Sequence, residues 1–428
     1  MNEINPNILT TVTREDVKRL KEARHVNFHR IPVSETAHEF SIFMWEAIQS
    51  RLYEKNEKAL QWTLKREEKF WKTIDSIICD LAYQHLLGEG EFLYMSLRSS
   101  AYKASRYQLQ NVSYTAVKDA FDILLSNDLQ MIEAKFGYQG GKGYSGRSTR
   151  IRPSDRLSKI IDFFGLTLSD FGEADNKETI VLRDEKENPT SLAKLTEYED
   201  TPTTIRMRQE MTLINDFIGS LDVTCPHQHD PNATDLVRIF NNSDFNLGGR
   251  LYRGWWQTMP YRERVNIEIN GMETVELDFC ELHPTMLYAE VKDAQLPKSA
   301  YEIDDMSRKE AKVLFNAMLN AKRELSNWPK DLEGESMKMS LEQAQTTIKS
   351  HHSGIGSFFH SGKGLELQRN DSDLIVATIL DLMRRGIPAL PIHDSLIVPE
   401  LYADEVEEVM KKWFLRLSGA EVEVKLAA

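Results

Sequence analysis

Residues 274–290 read TVELDFCELHPTMLYAE. Val275, Leu277 and Phe279 alternate with Glu276 and Asp278, the period of a half-buried strand, and Asp278 stands near its end. Pro284 follows closely, and proline is well tolerated in the first turn of a helix, so the segment predicts a strand, a tight turn and a helix. A carboxylate at the end of a core strand can hold a divalent cation. It can equally cap a helix or pair with a surface cation, and this segment alone leaves both readings open.

Three later segments bear on the choice. Residues 389–400, ALPIHDSLIVPE, place apolar residues on both sides of His393-Asp394-Ser395, which predicts a β-hairpin with His and Asp at its tip. Asp and Ser are also ordinary turn formers. Residues 307–322, SRKEAKVLFNAMLNAK, space Arg308, Lys312, Asn316 and Asn320 four apart, on one helical face. Two cations one turn apart suit a polyphosphate, and two amides further along suit a sugar or base; a solvated basic face has the same pattern. Residues 364–386, GLELQRNDSDLIVATILDLMRRG, form a long amphipathic helix, opened by Gln368 and Asp373, that leads into the His-Asp hairpin.

Taken in order, these segments resemble the palm and fingers of family A DNA polymerases and of the related phage-type single-subunit RNA polymerases. DFCELHPTMLYA is similar to motif A, DYSQIELRILA, with Asp278 at the metal position. RKEAKVLFNAMLNA is similar to motif B, R-x3-K-x3-F-x3-Y-G, with Arg308 and Lys312 in place and Asn316, Asn320 and Ala321 for Phe, Tyr and Gly. LQRNDSDL resembles IQGTAADI, and IHDSLIVPE resembles motif C, which reads HDE in the DNA enzymes and HDS in the RNA enzymes. Upstream, GRLY within DFNLGGRLYRGWW resembles TGRLSS and RGRVY, which puts Arg250 near a template–product duplex. The resemblance covers about the last 190 residues. The fingers are much shorter than in the family, no exonuclease-like acidic set stands upstream, and the family's sugar-selecting Glu and Tyr align with His283 and Asn320. The choice between dNTP and rNTP is therefore not carried over.

The resemblance implies template-directed nucleotidyl transfer to a 3′-OH, with DNA synthesis preferred. Such transfer rests on positioning and charge neutralisation. Two Mg2+ ions about 3.5–4 Å apart, which Mn2+ can replace, would clamp the attacking and leaving oxygens. Asp278 and Asp394, with the backbone carbonyl of Phe279, are the expected ligands. Arg308 and Lys312 would hold the triphosphate, with Lys312 able to protonate pyrophosphate. His283, Asn316 and Asn320 would line the nucleotide. His393 would meet the primer terminus, and Gln368 and Arg250 the duplex. An RNA polymerase or primer-synthesising enzyme on the same palm is one alternative; a non-templated terminal transferase is another; a catalytically inactive DNA-binding initiator or regulator is a third.

The rest of the chain divides by composition. Its 428 residues allow two to four domains at roughly 100–200 residues each. With 41% hydrophobic and 28% charged residues it suits a globular protein with a real core, and no apolar run approaches the roughly 18 residues that span a bilayer. MNEINPNILTTVTRED lacks a basic stretch followed by an apolar one, so no secretory signal is expected. Cys79, Cys225 and Cys280 are few, scattered and odd in number, which fits a reducing cytoplasm. Cys225, His227 and His229 are spaced too tightly for a zinc-finger pattern and read as a loop.

Residues 1–34 read as a polar arm and 35–88 as helical, with a break at Gly88 and Gly90. Residues 91–165 predict a short helix, a second helix from Ser113 to about Asn127, an apolar strand, a Gly-rich tip at Gly140, Gly141, Gly143 and Gly146, and a basic return strand, the order of a winged helix-turn-helix. From Arg98 to Lys159 eleven basic residues face five acidic ones, although the whole chain carries −13, so this segment is the expected phosphate footprint, with Arg147, Arg150 and Arg152 on the wing. The expected organisation is thus α+β: an arm (1–34), a helical and winged-helix region (35–165), a linker with a thumb-like helix (166–230), and palm with short helical fingers (231–428).

Overall fold

The computed structural model describes residues 23–55, 62–88, 92–102, 105–107, 112–137, 147–174, 177–186, 193–226, 233–292, 294–333, 335 and 337–427. The chain is mixed α+β, and its described residues form two compact units, those up to Glu178 and those from Thr179 onward. The first 22 residues of the expected arm, Gly90, the four glycines of the expected tip, and His227 and His229 lie outside the described residues.

In the first unit, residues 23–34 are not an arm: β1 (Arg24–His25) and β2 (Arg30–Pro32) both pair, β1 with β3 and β2 with β6. Buried Arg30 lies over the Tyr83 ring, and Asp80 accepts from Arg24 and from the Asn27 amide, so polar residues are anchored where an alternating pattern gave no sign. Helices α1 (Glu35–Lys55) and α2 (Leu64–Leu87) follow, the second capped by Thr63. Then come β3 (Leu93–Met95), α3 (Tyr114–Leu125), β4 (Ile132–Lys135), β5 (Thr149–Pro153), α4 (Asp155–Phe164) and β6 (Phe171–Glu173). Ser113 accepts from the Ala116 amide, which starts α3 where the sequence predicts it. The β4–β5 hairpin is not free-standing: the sheet runs β1-β3-β5-β4, so the basic strand β5 is paired on both edges. Leu93, Met95, Ile132 and Ile151 enter the core with Phe40, Ile78 and Leu157.

The second unit begins with β7 (Ile180–Leu182) and α5 (Pro202–Gly219), which has Pro202 in its first turn after a Thr201 cap. Next are β8 (Val223–Thr224), β9 (Val237–Asn241), β10 (Asp244–Tyr252), the single-turn α6 (Tyr261–Arg264), β11 (Glu268–Ile269), β12 (Met272–Phe279), α7 (Leu282–Glu290), α8 (Arg308–Asn320), α9 (Leu341–His351), α10 (Gly364–Arg384), β13 (Leu390–Ile392), β14 (Ser395–Pro399), α11 (Ala403–Ser418) and β15 (Val424–Leu426). One sheet runs β13-β14-β12-β11-β8, with β15 also on β12; another runs β10-β9-β7. Strand β12 is central because Leu277 and Phe279 pack inward with Leu396, Val398 and Phe414, and its backbone is satisfied on both edges.

Two local features aim the site. In β10 the register slips at Gly248 and Gly249, which have φ of +79° and +84°, a conformation glycine adopts without strain. A Cβ on Gly249 would lie 2.7 Å from the Phe240 ring, so the bulge needs glycine for space as well. Beyond the end of β12 and at the tip of the β13–β14 hairpin, Glu281 and His393 are left-handed at φ 49° and 52°, although neither is glycine.

Candidate active site and nucleic-acid interface

Strands β12 and β14 are antiparallel with Asp278 opposite Ser395. That register sets Asp394, one residue before Ser395, beside Asp278, so two carboxylates 116 positions apart in sequence meet at one end of the central sheet. Burial, and then the Asp394 carboxylate, push the Asp278 carboxyl up to about 6; Lys312 and Lys425 pull it the other way, the first from α8 and the second from β15 directly across from Asp278. The strand's neighbouring acid is treated differently. Glu276 accepts from Nε and Nη2 along one edge of the Arg264 guanidinium, at 2.9–3.2 Å, and from the Ser395 hydroxyl at 2.7 Å. Its charge is met by a direct guanidinium pair, whereas Asp278 is opposed only by the more distant Lys312 and Lys425. Sequence alternation puts Glu276 and Asp278 on the same face and does not distinguish them.

Helix α8 presents Arg308 and Lys312 as its spacing predicts, begun by a capping box between Ser307 and Glu310. Arg308 is exposed, lies 5.4 Å from the Tyr301 ring centre, and is 3.5 Å from Glu281. Glu281 is held in turn by the Ser299 hydroxyl at 3.1 Å and the Ala300 amide at 2.8 Å. Lys312 is exposed. Asn320 donates its amide to the Asn316 carbonyl at 2.8 Å, and its side chain packs so closely on Gly364 that a Cβ there would sit 2.2 Å from Oδ1. Behind this helix His352 is buried between Tyr288, Phe315 and the Ala300 carbonyl, and burial lowers its pKa to about 4.

Arg250 is aimed by the glycine bulge at Asp371 on α10. Its Nε donates to Asp371 Oδ1 at 3.0 Å, and its Nη2 bonds Oδ2. The His283 Nε2 lies 2.9 Å from the same carboxylate, which is fully buried. The next two residues of α10 continue the tie: Ser372 bonds the Gly249 carbonyl, and Asp373 receives Arg238 at 2.9 Å. Arg238 is itself buried and donates to the Gly249 carbonyl. His393 packs its ring on Tyr252 at 5.8 Å, and burial, then Arg250, keep its pKa below the usual histidine value. Arg250 and Asp394 are within electrostatic reach of one another. Gln368 lies half-buried on α10. The structure thus gathers Asp278, Asp394, Lys312, Arg250, His283 and His393 around one end of the sheet. It adds Asp371, Glu281 and Arg264, which no sequence motif singled out; a run of three polar residues, Asp371, Ser372 and Asp373, against β10 was the available sign.

Two oxygens from Asp278 and Asp394 make a hard donor set of the kind Mg2+ prefers, and a carboxyl driven upward by burial and then by a like charge fits a place where a cation is expected. Among the described residues, no group of three or more His, Cys, Asp or Glu side chains converges as a metal cluster.

In the first unit the basic excess is not on the exposed face of α3. Lys118 pairs with Asp122 and Asp119 with Arg66, which leaves that helix near neutral. The cations lie on the outer face of the sheet: Arg152 forks onto Glu133 and covers Phe92, Lys135 covers the same ring, and Arg150 lies 5.5 Å from the Tyr94 ring centre. Arg147 is half-buried where the hairpin closes on Gly137. No described helix is long and apolar enough to cross a membrane.

No protein-family model and no curated protein matches this chain. Among solved structures, the chain is similar to the POL domain of Pol1 from M. smegmatis in complex with DNA primer-template and dNTP, at 11% identity and a TM-score of 0.32. The match covers 53% of this chain and 51% of that one, so it spans about half the length of its neighbour.

Proposed function

We propose that this protein is a template-directed nucleotidyltransferase that extends a 3′-OH with nucleoside triphosphates, DNA being the preferred product. The observation that carries the reading is the Asp278–Asp394 pair, set side by side by strand register and without the direct arginine fork that neutralises Glu276. Asp278, Asp394 and the Phe279 carbonyl would hold Mg2+. When bound, the cation supplies the positive charge that phosphoryl transfer needs at the attacking and leaving oxygens.

The chain's own residues do the rest. Lys312, within reach of the carboxylates, binds the triphosphate and is placed to give a proton to the leaving pyrophosphate. Arg308 binds the triphosphate by exchanging Glu281 for phosphate, a swap that its exposure and 3.5 Å pairing make easy. His283, Asn316 and Asn320 line the nucleoside. Arg250 and Gln368 meet the duplex, and neutral His393 meets the primer end. In the first unit, Arg147, Arg150 and Arg152 supply a winged-helix-like nucleic-acid contact through the sheet and hairpin, since α3 carries no net positive face.

Primer extension tests this. Purified protein is given dNTPs or rNTPs separately, on primed and bare single-stranded DNA, with Mg2+ or Mn2+, beside Asp394→Ala. Templated extension lost in the variant is the expected result. No incorporation of either nucleotide under any condition, with DNA still bound, overturns it in favour of a non-catalytic DNA-binding role.

A further inference from the structure

The Asp371 carboxylate is fully buried and receives two different side chains from two distant segments, Arg250 of β10 and His283 of α7. A buried charge of this kind is costly unless paired, and breaking such a pair is strongly destabilising. Glu276 by comparison takes one cation, Arg264, and the neutral Ser395 hydroxyl, whereas Asp371 takes an arginine and a histidine. The acid thus ties His283 to Arg250, and Arg250 is within electrostatic reach of His393 and Asp394. Its acceptance is also selective. Arg250 spends Nε and Nη2 on Asp371, and Nη2 lies 3.5 Å from His283 Nε2, while Nη1 has no hydrogen-bond partner among the described residues. The Gly248–Gly249 bulge fixes the arginine's backbone from one side, and Ser372, the residue after Asp371, grips the Gly249 carbonyl from the other. A planar guanidinium clamped on one edge and anchored at its backbone presents its remaining nitrogen in one orientation.

We infer that Asp371 is a positioning residue that holds Arg250 and His283 as one unit beside the Asp278–Asp394 pair, so that Arg250 offers a pre-aimed donor to the nucleic-acid substrate. The inference rests on the nucleotidyltransferase reading. Asp371 itself touches no substrate.

The test is steady-state primer extension by the full chain, with melting curves in parallel, for wild type, Asp371→Asn, Arg250→Lys and the double variant. Asp371→Asn keeps the shape and one acceptor but loses the charge that grips the fork. The expected result is a rise of about tenfold or more in KM for primer-template, with kcat changed far less. The double variant should be no worse than Arg250→Lys, because both changes remove the same aim. Losses that multiply, or an unchanged KM in a folded Asp371→Asn, overturn the inference. Should Asp371→Asn melt below the assay temperature, Asp371→Glu keeps the charge and displaces the carboxylate. It is expected to raise KM likewise, and an unchanged KM there also overturns the inference. Wild-type activity separates the two levels: an active wild type with indifferent variants refutes Asp371 alone, whereas an inactive wild type refutes the polymerase reading and this inference with it.

Discussion

Replacing Asp278 by Asn should stabilise the cation-free protein above pH 6, although it removes a residue of the proposed active site. The sign follows from the direction of the shift. The folded-state carboxyl is raised from 3.8 to about 6, so the folded chain binds a proton that the unfolded chain releases, and stability falls as pH climbs through that window. A shift of about two units is worth about 3 kcal/mol at the ceiling. Asp278 is partly exposed at the sheet end, and solvent screening brings the expected gain to about 1–2 kcal/mol. For a unit of this size that is roughly 3–6 °C in the melting transition. The assay is a calorimetric melt in a chelator at pH 8 and at pH 4. The variant should melt higher at pH 8, and the gap should shrink toward pH 4, where wild-type Asp278 is already protonated. Adding Mg2+ should raise wild type and leave Asp278→Asn nearly unmoved, since a ligand that binds only the folded chain stabilises it by mass action, about 1.4 kcal/mol at tenfold excess over its dissociation constant. A variant that melts lower at pH 8, or a gap independent of pH, refutes the account in which burial and the neighbouring carboxylate raise Asp278.

Other outcomes follow from the same geometry. His352 is buried in its neutral form with a pKa near 4, so its stabilisation is full above pH 6.5 and is lost as pH falls toward 4, by up to about 3 kcal/mol; the hydrogen-exchange protection factors of α8 and α9, corrected for intrinsic rates, should fall at pH 5 while those of α10 hold. Trp256 is fully buried and donates Nε1 to the Pro391 carbonyl at 3.0 Å, so Trp256→Ala should cost about 3–5 kcal/mol and loosen the hairpin that carries Asp394, read by urea denaturation and by lost extension. Changing Arg147, Arg150 and Arg152 to Ala should weaken DNA binding uniformly across sequences and reduce the logarithmic salt slope by about one per cation, measured by fluorescence anisotropy. Lys118→Ala on the neutralised α3 should leave that slope unchanged.

How much was legible from sequence depended on whether a feature was local. The Asp278 strand and the Asp394 hairpin each announce themselves by alternation around a polar residue, and their meeting follows once the two strands are paired in register. Helix α8 was readable because its four-residue spacing and its Ser307 cap are both local. Asp371 was not, because a polar residue on an amphipathic helix looks solvated until its partner is known, and Arg250 lies 121 positions earlier. Glu276 and Asp278 look alike in sequence; Arg264, folded back from a single helical turn, and the Ser395 hydroxyl tell them apart. The strands at Arg24–His25 and Arg30–Pro32 were missed because two or three residues are too short for a period, and their burial rests on Asp80 and Tyr83. The basic excess before Lys159 was visible as a count, but its placement on the sheet and not on α3 depends on which cations find acids.

The left-handed turns at Glu281 and His393 have a consequence for how this sequence can change over time. Each residue carries a side chain where glycine would rest without strain, at a cost of about 1 kcal/mol or more. Under selection for robustness alone, glycine at either position should be enriched. Under selection for turnover, Glu281, which steadies Arg308, and His393, which stands beside Asp394, should persist. Deep mutational libraries scored separately for abundance and for activity would therefore diverge at these two sites, and the size of that divergence would measure how much thermal resilience the chain forgoes to keep its chemistry in place.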